Sequence, residues 1–202
     1  STIASARSSA IGPSRRIVYR LAALFSIDAF AGGFAVQSLM ALWLFSKFGM
    51  SLAAASLFFF WSGLLAAFSY PASAWIARRI GLVNTMVFTH IPANLCLVGA
   101  ALAPSLELAL GLLLIRSAVS QMDVPARSSY VMAVVTPPER ATAASLTAVP
   151  RSLASAASPA LAGALFAAGA TALPFVICGA LKTLYDLALL WMFRHVKPPE
   201  ER

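Results

Sequence analysis

Six long apolar stretches, separated by short basic or turn-rich segments, are the feature that most limits how this chain can fold. An α-helix needs about 20 apolar residues to cross a hydrocarbon core about 30 Å thick. Backbone polar groups find no water in that core, so stretches of this length fold there as helices. The six stretches cover residues 21–45, 52–77, 83–102, 106–135, 141–168 and 173–193.

Composition agrees with a chain that lies almost entirely in a lipid bilayer. Hydrophobic residues make up 60% of the 202 residues and charged residues 11%, against about 45–50% and about 25% in soluble domains. We therefore expect an all-α integral membrane protein with six transmembrane helices over residues 21–195. Residues 1–20 are expected to form a cytoplasmic basic arm or a linker between two halves, and residues 196–202 a cytoplasmic tail.

The positive charges predict the orientation of the chain. Lys47 is the one basic residue expected in a loop on the opposite side, and basic residues mark the cytoplasmic side of membrane proteins. Both termini should therefore be cytoplasmic, and the net charge of +8 reflects topology and not nucleic-acid binding. The excess of arginine over lysine and the many alanines favour a bacterial inner membrane. Ten basic residues share the cytoplasmic side: Arg7, Arg15, Arg16, Arg20, Arg78, Arg79, Arg140, Arg194, Lys197 and Arg202.

The fourth stretch carries the clearest functional signal. Asp123 and Arg127 are four residues apart and can pair on one helical face, with Arg116 two turns earlier on roughly the same face. Pro125 is expected to kink or loosen the turn between them. Each charge costs about 2.5 kcal/mol or more at the bilayer midplane unless it is paired or hydrated. These side chains should therefore face other helices or a water-filled cavity.

Further charges fall at a similar depth on other helices. Asp28 and Arg151 lie, like Arg127, roughly 12–18 Å from the cytoplasmic side if the helices are regular. Buried charges need partners, so we expect Asp28 to pair with Arg151 or with Arg127. Such a cluster is either a static packing element or part of a gate or a proton-linked site. Gln37 can line the same cavity or bind a neighbouring helix.

The sixth and third stretches hold polar residues with simpler explanations. Lys182 and Asp186 are four apart and are expected to neutralise each other as a structural pair within one helix. His90 is expected to form a hydrogen bond to a helix neighbour more often than to act as a proton relay.

Catalysis is not indicated. The sequence contains no nucleophile with a paired base, no histidine and carboxylate spacing typical of metal sites, and no glycine-rich phosphate loop or other cofactor motif. Two cysteines, Cys96 and Cys178, lie inside apolar stretches and give neither a disulfide framework nor a metal motif. We predict that the protein is not an enzyme and uses no cofactor.

The span order and the segment DVPARSSYVMAVVTPPERATAASLT resemble the carboxy-terminal half of a major facilitator superfamily transporter. The family's loop between the second and third helices reads Gly-x-x-x-Asp-Arg-x-Gly-Arg-Arg, and AWIARRIGLV stands in that place. Arg79 and Gly81 match, whereas Ala74 and Arg78 replace the first glycine and the aspartate. Arg116 with Gln121 resembles the family's fourth-helix Arg-x-x-Gln-Gly element. Ser158-Pro159 resembles the Gly-Pro of the fifth helix in antiporters.

The resemblance implies alternating access of a small-molecule solute by two six-helix halves, each built from two inverted three-helix repeats. Asp28, Gln37, Arg116, Asp123, Arg127 and Arg151 would then lie on cavity-lining helices, with Lys182, Asp186 and His90 on outer helices. The chain would be a fragment, one half of a split transporter, or a six-helix protein that dimerises. Its partner would be an amino-terminal six-helix half or a second copy. The alternative is a non-transporting membrane scaffold or subunit.

Overall fold

The structure is a computed structural model that describes residues 11–196. Residues 1–10 and 197–202, which hold much of the expected arm and tail, lie outside the described part. Within residues 11–196 the chain is helical and has no strand. The helices are α1 (Arg15–Gly32), α2 (Gln37–Phe48), α3 (Leu52–Ile80), α4 (Leu82–Leu102), α5 (Leu106–Val119), α6 (Asp123–Val134), α7 (Arg140–Ala167) and α8 (Leu173–Phe193).

The eight helices form six units in the order that the sequence predicts. Two of the expected helices are each divided in two, one into α1 and α2 and the other into α5 and α6. Five of the six units are long and apolar enough to cross a membrane, and α7 is the exception. Helix α7 has 28 residues, which is enough by length, but it is rich in alanine and serine. The first helix begins at Arg15, so Arg15, Arg16 and Arg20 belong to α1 and not to the expected arm.

The first span is not one continuous helix. Helix α1 ends at Gly32, a 3-10 turn covers Gly33–Ala35, and Val36 is extended with ψ 151° before α2 begins. A Cβ atom at Gly33 would collide with Ser158 Oγ and lie 3.0 Å from the Pro159 ring of α7. Glycine at this position therefore lets α1 approach α7 closely, as small residues do between membrane helices.

The fourth span is interrupted shortly before Pro125. Helix α5 ends at Val119, a turn covers residues 120–122, and α6 begins at Asp123. Pro125 stands at the third position of α6, where it has no N–H to offer to the carbonyl of Gln121. The expected weakening of the turn between Asp123 and Arg127 is not observed, because α6 is helical there, and the interruption lies one turn earlier at residues 120–122.

Polar side chains form a layer between two apolar clusters. One cluster contains Trp43 and the facing parts of α2–α5 and α8, and the other contains Phe25 and the facing parts of α1, α4 and α6–α8. Along their own helices, Asp28, His90 and Lys182 each come between the residues of the two clusters. The polar layer is thus enclosed by apolar packing along the bundle.

The helices differ in how much of their surface is covered. Helix α1 packs against α7 and α8, and α4 packs against α5 and α8. In contrast, α3 buries only four of its 29 residues and α7 four of its 28. Large apolar side chains such as Phe68 and Leu153 are 67% and 69% exposed on these two helices. Helices α3 and α7 therefore present broad apolar faces to lipid or to another membrane-embedded partner.

Candidate functional site

Asp28 is the centre of a buried ion cluster that joins three helices. Its side chain is 3% exposed, and each carboxylate oxygen has its own cation. Arg127 Nη2 of α6 lies 3.1 Å from Asp28 Oδ2, and Lys182 Nζ of α8 lies 2.5 Å from Asp28 Oδ1. Of the two partners that the sequence offers, Arg127 and not Arg151 is the one that binds Asp28.

Arg127 also binds a second carboxylate. Its Nη2 donates to Asp123, four residues earlier in α6, so the predicted pair on one helical face is confirmed. Asp123 is the first residue of α6, where the N–H groups at the helix terminus favour a negative charge. The guanidinium carbon lies 5.2 Å from the centre of the Phe25 ring. Asp28, Asp123, Arg127 and Lys182 together are two acids and two bases, and we call them the charged quartet.

The expected pair between Lys182 and Asp186 is wrong. Lys182 binds Asp28 of α1, while Asp186 binds two residues of α4. Asp186 Oδ1 lies 2.9 Å from His90 Nδ1, and Asp186 Oδ2 accepts a hydrogen bond of 2.9 Å from Asn94 Nδ2. Helix α8 packs against α1 as well as α4, and each side chain finds a partner on a different neighbour. Spacing within one helix defines a shared face but does not select between partners on other helices.

A cavity of about 500 Å³ lies beside the charged quartet. Its walls come from α1, α7 and α8, and they include Asp28, Lys182, Arg151, Ser152 and Ser155. Arg151 is exposed, and no carboxylate lies within ion-pair distance of it in residues 11–196. Arg151 also lines a smaller cavity of about 180 Å³, whose lining includes Arg127. Arg151 is therefore a cavity-facing cation, and the expected contact with Asp28 is replaced by a shared cavity wall.

Gln37 does not share that cavity, contrary to the interpretation that places it beside Asp28. It lines a separate cavity of about 280 Å³ with Arg116, Ser120 and Gln121. The reason is the break at Gly33–Ala35, which ends the helical register between Asp28 and Gln37. The break at residues 120–122 likewise separates Arg116 from Asp123, so the expected common face of these two residues is absent. This cavity of about 280 Å³, which we call the second cavity, adjoins both breaks.

Two polar contacts of the bundle were not anticipated from the sequence. Asn94 binds Asp186 from the same helix as His90, and its position four residues after His90 is a signal that could have identified it. Ser62 of α3 and Ser117 of α5 form a hydrogen bond of 2.9 Å beside the second cavity. Serines are so frequent in this chain that no sequence pattern distinguishes these two.

The loop motif lies at one end of the bundle. Arg78 and Arg79 belong to the last turn of α3, and Gly81 adopts φ +86°, a conformation that side chains rarely tolerate. The two arginines line a cavity of about 330 Å³ together with Arg194 after α8. Arg79 stacks on the Trp75 ring at 5.1 Å. The arrangement concentrates positive charge at this end of the bundle.

Glu139, in the turn before α7, connects two loops at that same end. It accepts hydrogen bonds from Thr136 Oγ1 at 2.6 Å, Ser14 Oγ at 2.7 Å and the Gly12 N–H at 2.6 Å. The hydroxyls of Thr136 and Ser14, which bind the charged form, lower the pKa of Glu139 to about 2. The carboxylate thereby fastens the segment before α1 to the segment before α7.

Comparison with known proteins identifies the family. The family model described as Major Facilitator Superfamily matches residues 21–202. The chain belongs to the major facilitator superfamily. An "Uncharacterized membrane protein YJR124C" of Saccharomyces cerevisiae is 26% identical over 179 residues, which are 88% of this chain and 40% of the yeast protein. No solved structure matches the chain.

The family explains the order of the helices. In a major facilitator half, two inverted repeats of three helices follow each other, and here the repeats are α1–α4 and α5–α8 with the first span of each broken. The chain spans only about two fifths of the length of the yeast relative. A bacterial membrane and cytoplasmic termini stay predictions from the sequence.

Proposed function

We propose that this chain is one six-helix half of a secondary transporter, which moves a small solute by alternating access and is coupled to protons. The observation that carries the proposal is that the first span of each repeat is interrupted, at Gly33–Ala35 and at residues 120–122. Interrupted helices in corresponding positions of two repeats are the usual mark of a transport site, because only backbone that lines a cavity or is buried in protein can leave the helical pattern.

The cavities beside these breaks supply the polar surface that a solute needs. The 280 Å³ cavity is lined by Arg116 and Gln37, and the 500 Å³ cavity by Arg151 with two serines of the same helix. Neither arginine has a carboxylate within ion-pair distance in residues 11–196. An unpaired arginine at membrane depth costs about 2.5 kcal/mol or more, so we assign both arginines to contact with solute or with the other half. In the charged quartet every acid and base has an oppositely charged partner, so we assign the quartet to fixing the helices that form the cavity walls.

The partner that completes the pathway is proposed to be a second six-helix half. The exposed faces of α3 and α7 suit this contact, since these helices bury the smallest share of their residues. Ser152 and Ser155 lie on the exposed part of α7 and line the larger cavity, which would become an enclosed pathway once covered. The length of the yeast relative is compatible with a second half in one chain.

Alternating access is tested by the side from which one position can be labelled. Ser155→Cys is introduced with Cys96→Ala, while Cys178 is fully buried and can remain. A membrane-impermeant maleimide is added to right-side-out and to inside-out vesicles that contain the full-length protein. We expect labelling of Ser155→Cys from both faces, because the cavity opens to each side in turn.

Two controls make the result specific. The Cys96→Ala parent should not react, and Leu184→Cys, at a position 61% exposed on α8, should stay unlabelled if it faces lipid. Labelling of Ser155→Cys from one face only would contradict alternating access and would favour the scaffold or subunit, because such a protein needs no second opening.

A further inference from the structure

The contact between α4 and α8 contains an acidic group outside the charged quartet. Asp186 is fully buried, and His90 is 4% exposed. His90 Nδ1 and Asp186 Oδ1 are 2.9 Å apart, while Asn94 donates to the other carboxylate oxygen. The Tyr185 ring meets the His90 ring edge to face, with centroids 6.2 Å apart. The pair is thus closed off from the cavities by packed side chains.

A count of charges around this pair shows that one positive charge is missing. The charged groups that face Asp186 are Asp28 from α1 and Lys182 on α8 itself, and these two are joined to Arg127 and Asp123 of α6, which face the neighbouring Tyr185. These four charged groups are the charged quartet, whose two acids and two bases cancel. Asp186 adds a third carboxylate, and its partners are His90, which can take up a proton, and the neutral Asn94.

From this arrangement we propose that His90 and Asp186 together bind one proton, and that this pair is the proton site of the transporter. An uncompensated charge buried in a membrane is costly, so the layer favours the state in which one proton makes it neutral. With the proton bound, an imidazolium at His90 donates from Nδ1 to the Asp186 carboxylate. Without the proton, neutral His90 still donates from Nδ1, and Asp186 together with the charged quartet carries one net negative charge.

Lys182 connects this site to the larger cavity. It lies one helical turn before Asp186 on α8, and it lines the 500 Å³ cavity where it binds Asp28. Proton release makes His90 neutral, so the negative charge of Asp186 is no longer balanced by the imidazolium and competes with Asp28 for Lys182. Occupancy of the proton site therefore changes how firmly Lys182 is held in the cavity wall. This coupling step rests on the proposed transport function, whereas proton binding itself does not.

Proton binding can be measured without any solute. The protein is labelled with ¹⁵N-histidine and reconstituted in lipid nanodiscs, and the His90 signal is assigned by its loss in His90→Gln. We expect the ¹⁵N signals of the His90 ring to change from those of the neutral form to those of the protonated form as the pH is lowered. In Asp186→Asn the layer is already neutral, so this uptake should be lost. His195 is exposed and serves as an internal reference.

Lys182→Met gives an independent check if Asp186→Asn fails to fold. Removal of this fixed positive charge should make the pair keep its proton to a higher pH. A His90 ring that stays neutral across the whole range, or that titrates identically in Asp186→Asn, would overturn the proton site. An unchanged titration in Lys182→Met would overturn the coupling through Lys182. A normal titration in a protein that shows no alternating access would leave the site intact and refute the proposed transport function.

Discussion

Replacing Asp28 with asparagine tests whether the charged quartet is held together by its neutrality. Arg127 lies 3.1 Å from Asp28, and at an effective dielectric constant of about 20 this distance corresponds to an attraction of about 5 kcal/mol. The cost of removing the ions from water offsets part of that attraction. Loss of one partner from a buried pair typically costs about 3–5 kcal/mol. We expect Asp28→Asn to lose about this much folding free energy, because Lys182 is left without a carboxylate partner.

A second substitution distinguishes this reasoning from a simple packing effect. Lys182→Met alone should cost less than Asp28→Asn, because Asp28 keeps Arg127 as a partner. In the double variant one acid and one base are removed together, and Arg127 keeps its bond to Asp123. The double variant should therefore regain most of the stability lost in Asp28→Asn. Residues in one ionic network show coupling energies of about 0.5–3 kcal/mol in such cycles.

The assay is unfolding of the purified protein by SDS titration, followed by tryptophan fluorescence from its four tryptophans. Glu107→Gln is the matched control, since it removes one negative charge from an exposed position at the start of α5. It should change stability very little. If the double variant is as unstable as the sum of the two single variants, neutrality does not stabilise the quartet and the argument fails.

Two further predictions concern the breaks and the loops. Gly33→Ala should destabilise the protein by about 1–2 kcal/mol. Overpacking costs about 1–3 kcal/mol, and the higher helix propensity of alanine offsets less than about 1 kcal/mol of this cost. Ser158 can rotate away, but the Pro159 ring and the Ser155 carbonyl, 3.0 and 3.1 Å from the added atom, cannot. Gly163→Ala, which meets open space in α7, is the control, and equal melting temperatures for the two variants would refute the close approach. Glu139→Gln should lower stability at neutral pH, and its difference from the parent should shrink as pH falls from about 4.5 to about 2. The ionised Glu139 stabilises the folded protein at pH values above its ordinary pKa of 4.5, and this stabilisation is lost as the pH falls through the folded-state pKa of about 2. A difference in melting temperature that stays constant with pH in thermal unfolding scans would contradict this reasoning.

The spans could be predicted from the sequence because length and polarity alone decide them. The interruption before Pro125 can be related to the sequence, because proline lacks the N–H that would carry the helical hydrogen bonds from α5 into α6. The break at Gly33 was not predicted, although the Gly32-Gly33 pair is a local signal for an interruption. The close approach of α7, more than 120 residues later, is not encoded in the local sequence. The predicted positions of Gln37 relative to Asp28 and of Arg116 relative to Asp123 were wrong because an interruption lies within each pair, and helical projection fails beyond an interruption.

The ion pairs illustrate a different limit. Asp123 with Arg127 was predictable, since both residues lie on one helix and face the same way. Lys182 and Asp186 have the same spacing, yet they bind Asp28 and His90 on opposite neighbours of α8. Which neighbour a side chain meets depends on how helices are arranged, and periodicity carries no such information.

The polar layer contains two kinds of acidic group, those of the charged quartet, which bind arginine or lysine, and Asp186, which binds histidine. Each acid of the charged quartet is bound by a cation that stays charged, so a proton would have to displace an ion pair to bind there. The acid bound by histidine can gain or lose a proton while its hydrogen bonds remain. Proton exchange at Asp186 therefore leaves the helix contacts intact, whereas exchange at Asp28 would dismantle the junction of α1, α6 and α8. Under the proposed proton-coupled cycle, the first arrangement lets a proton bind and leave without breaking these contacts. Lys182, one turn before Asp186 on α8, lines the larger cavity and is the charged neighbour through which we propose that the effect reaches it.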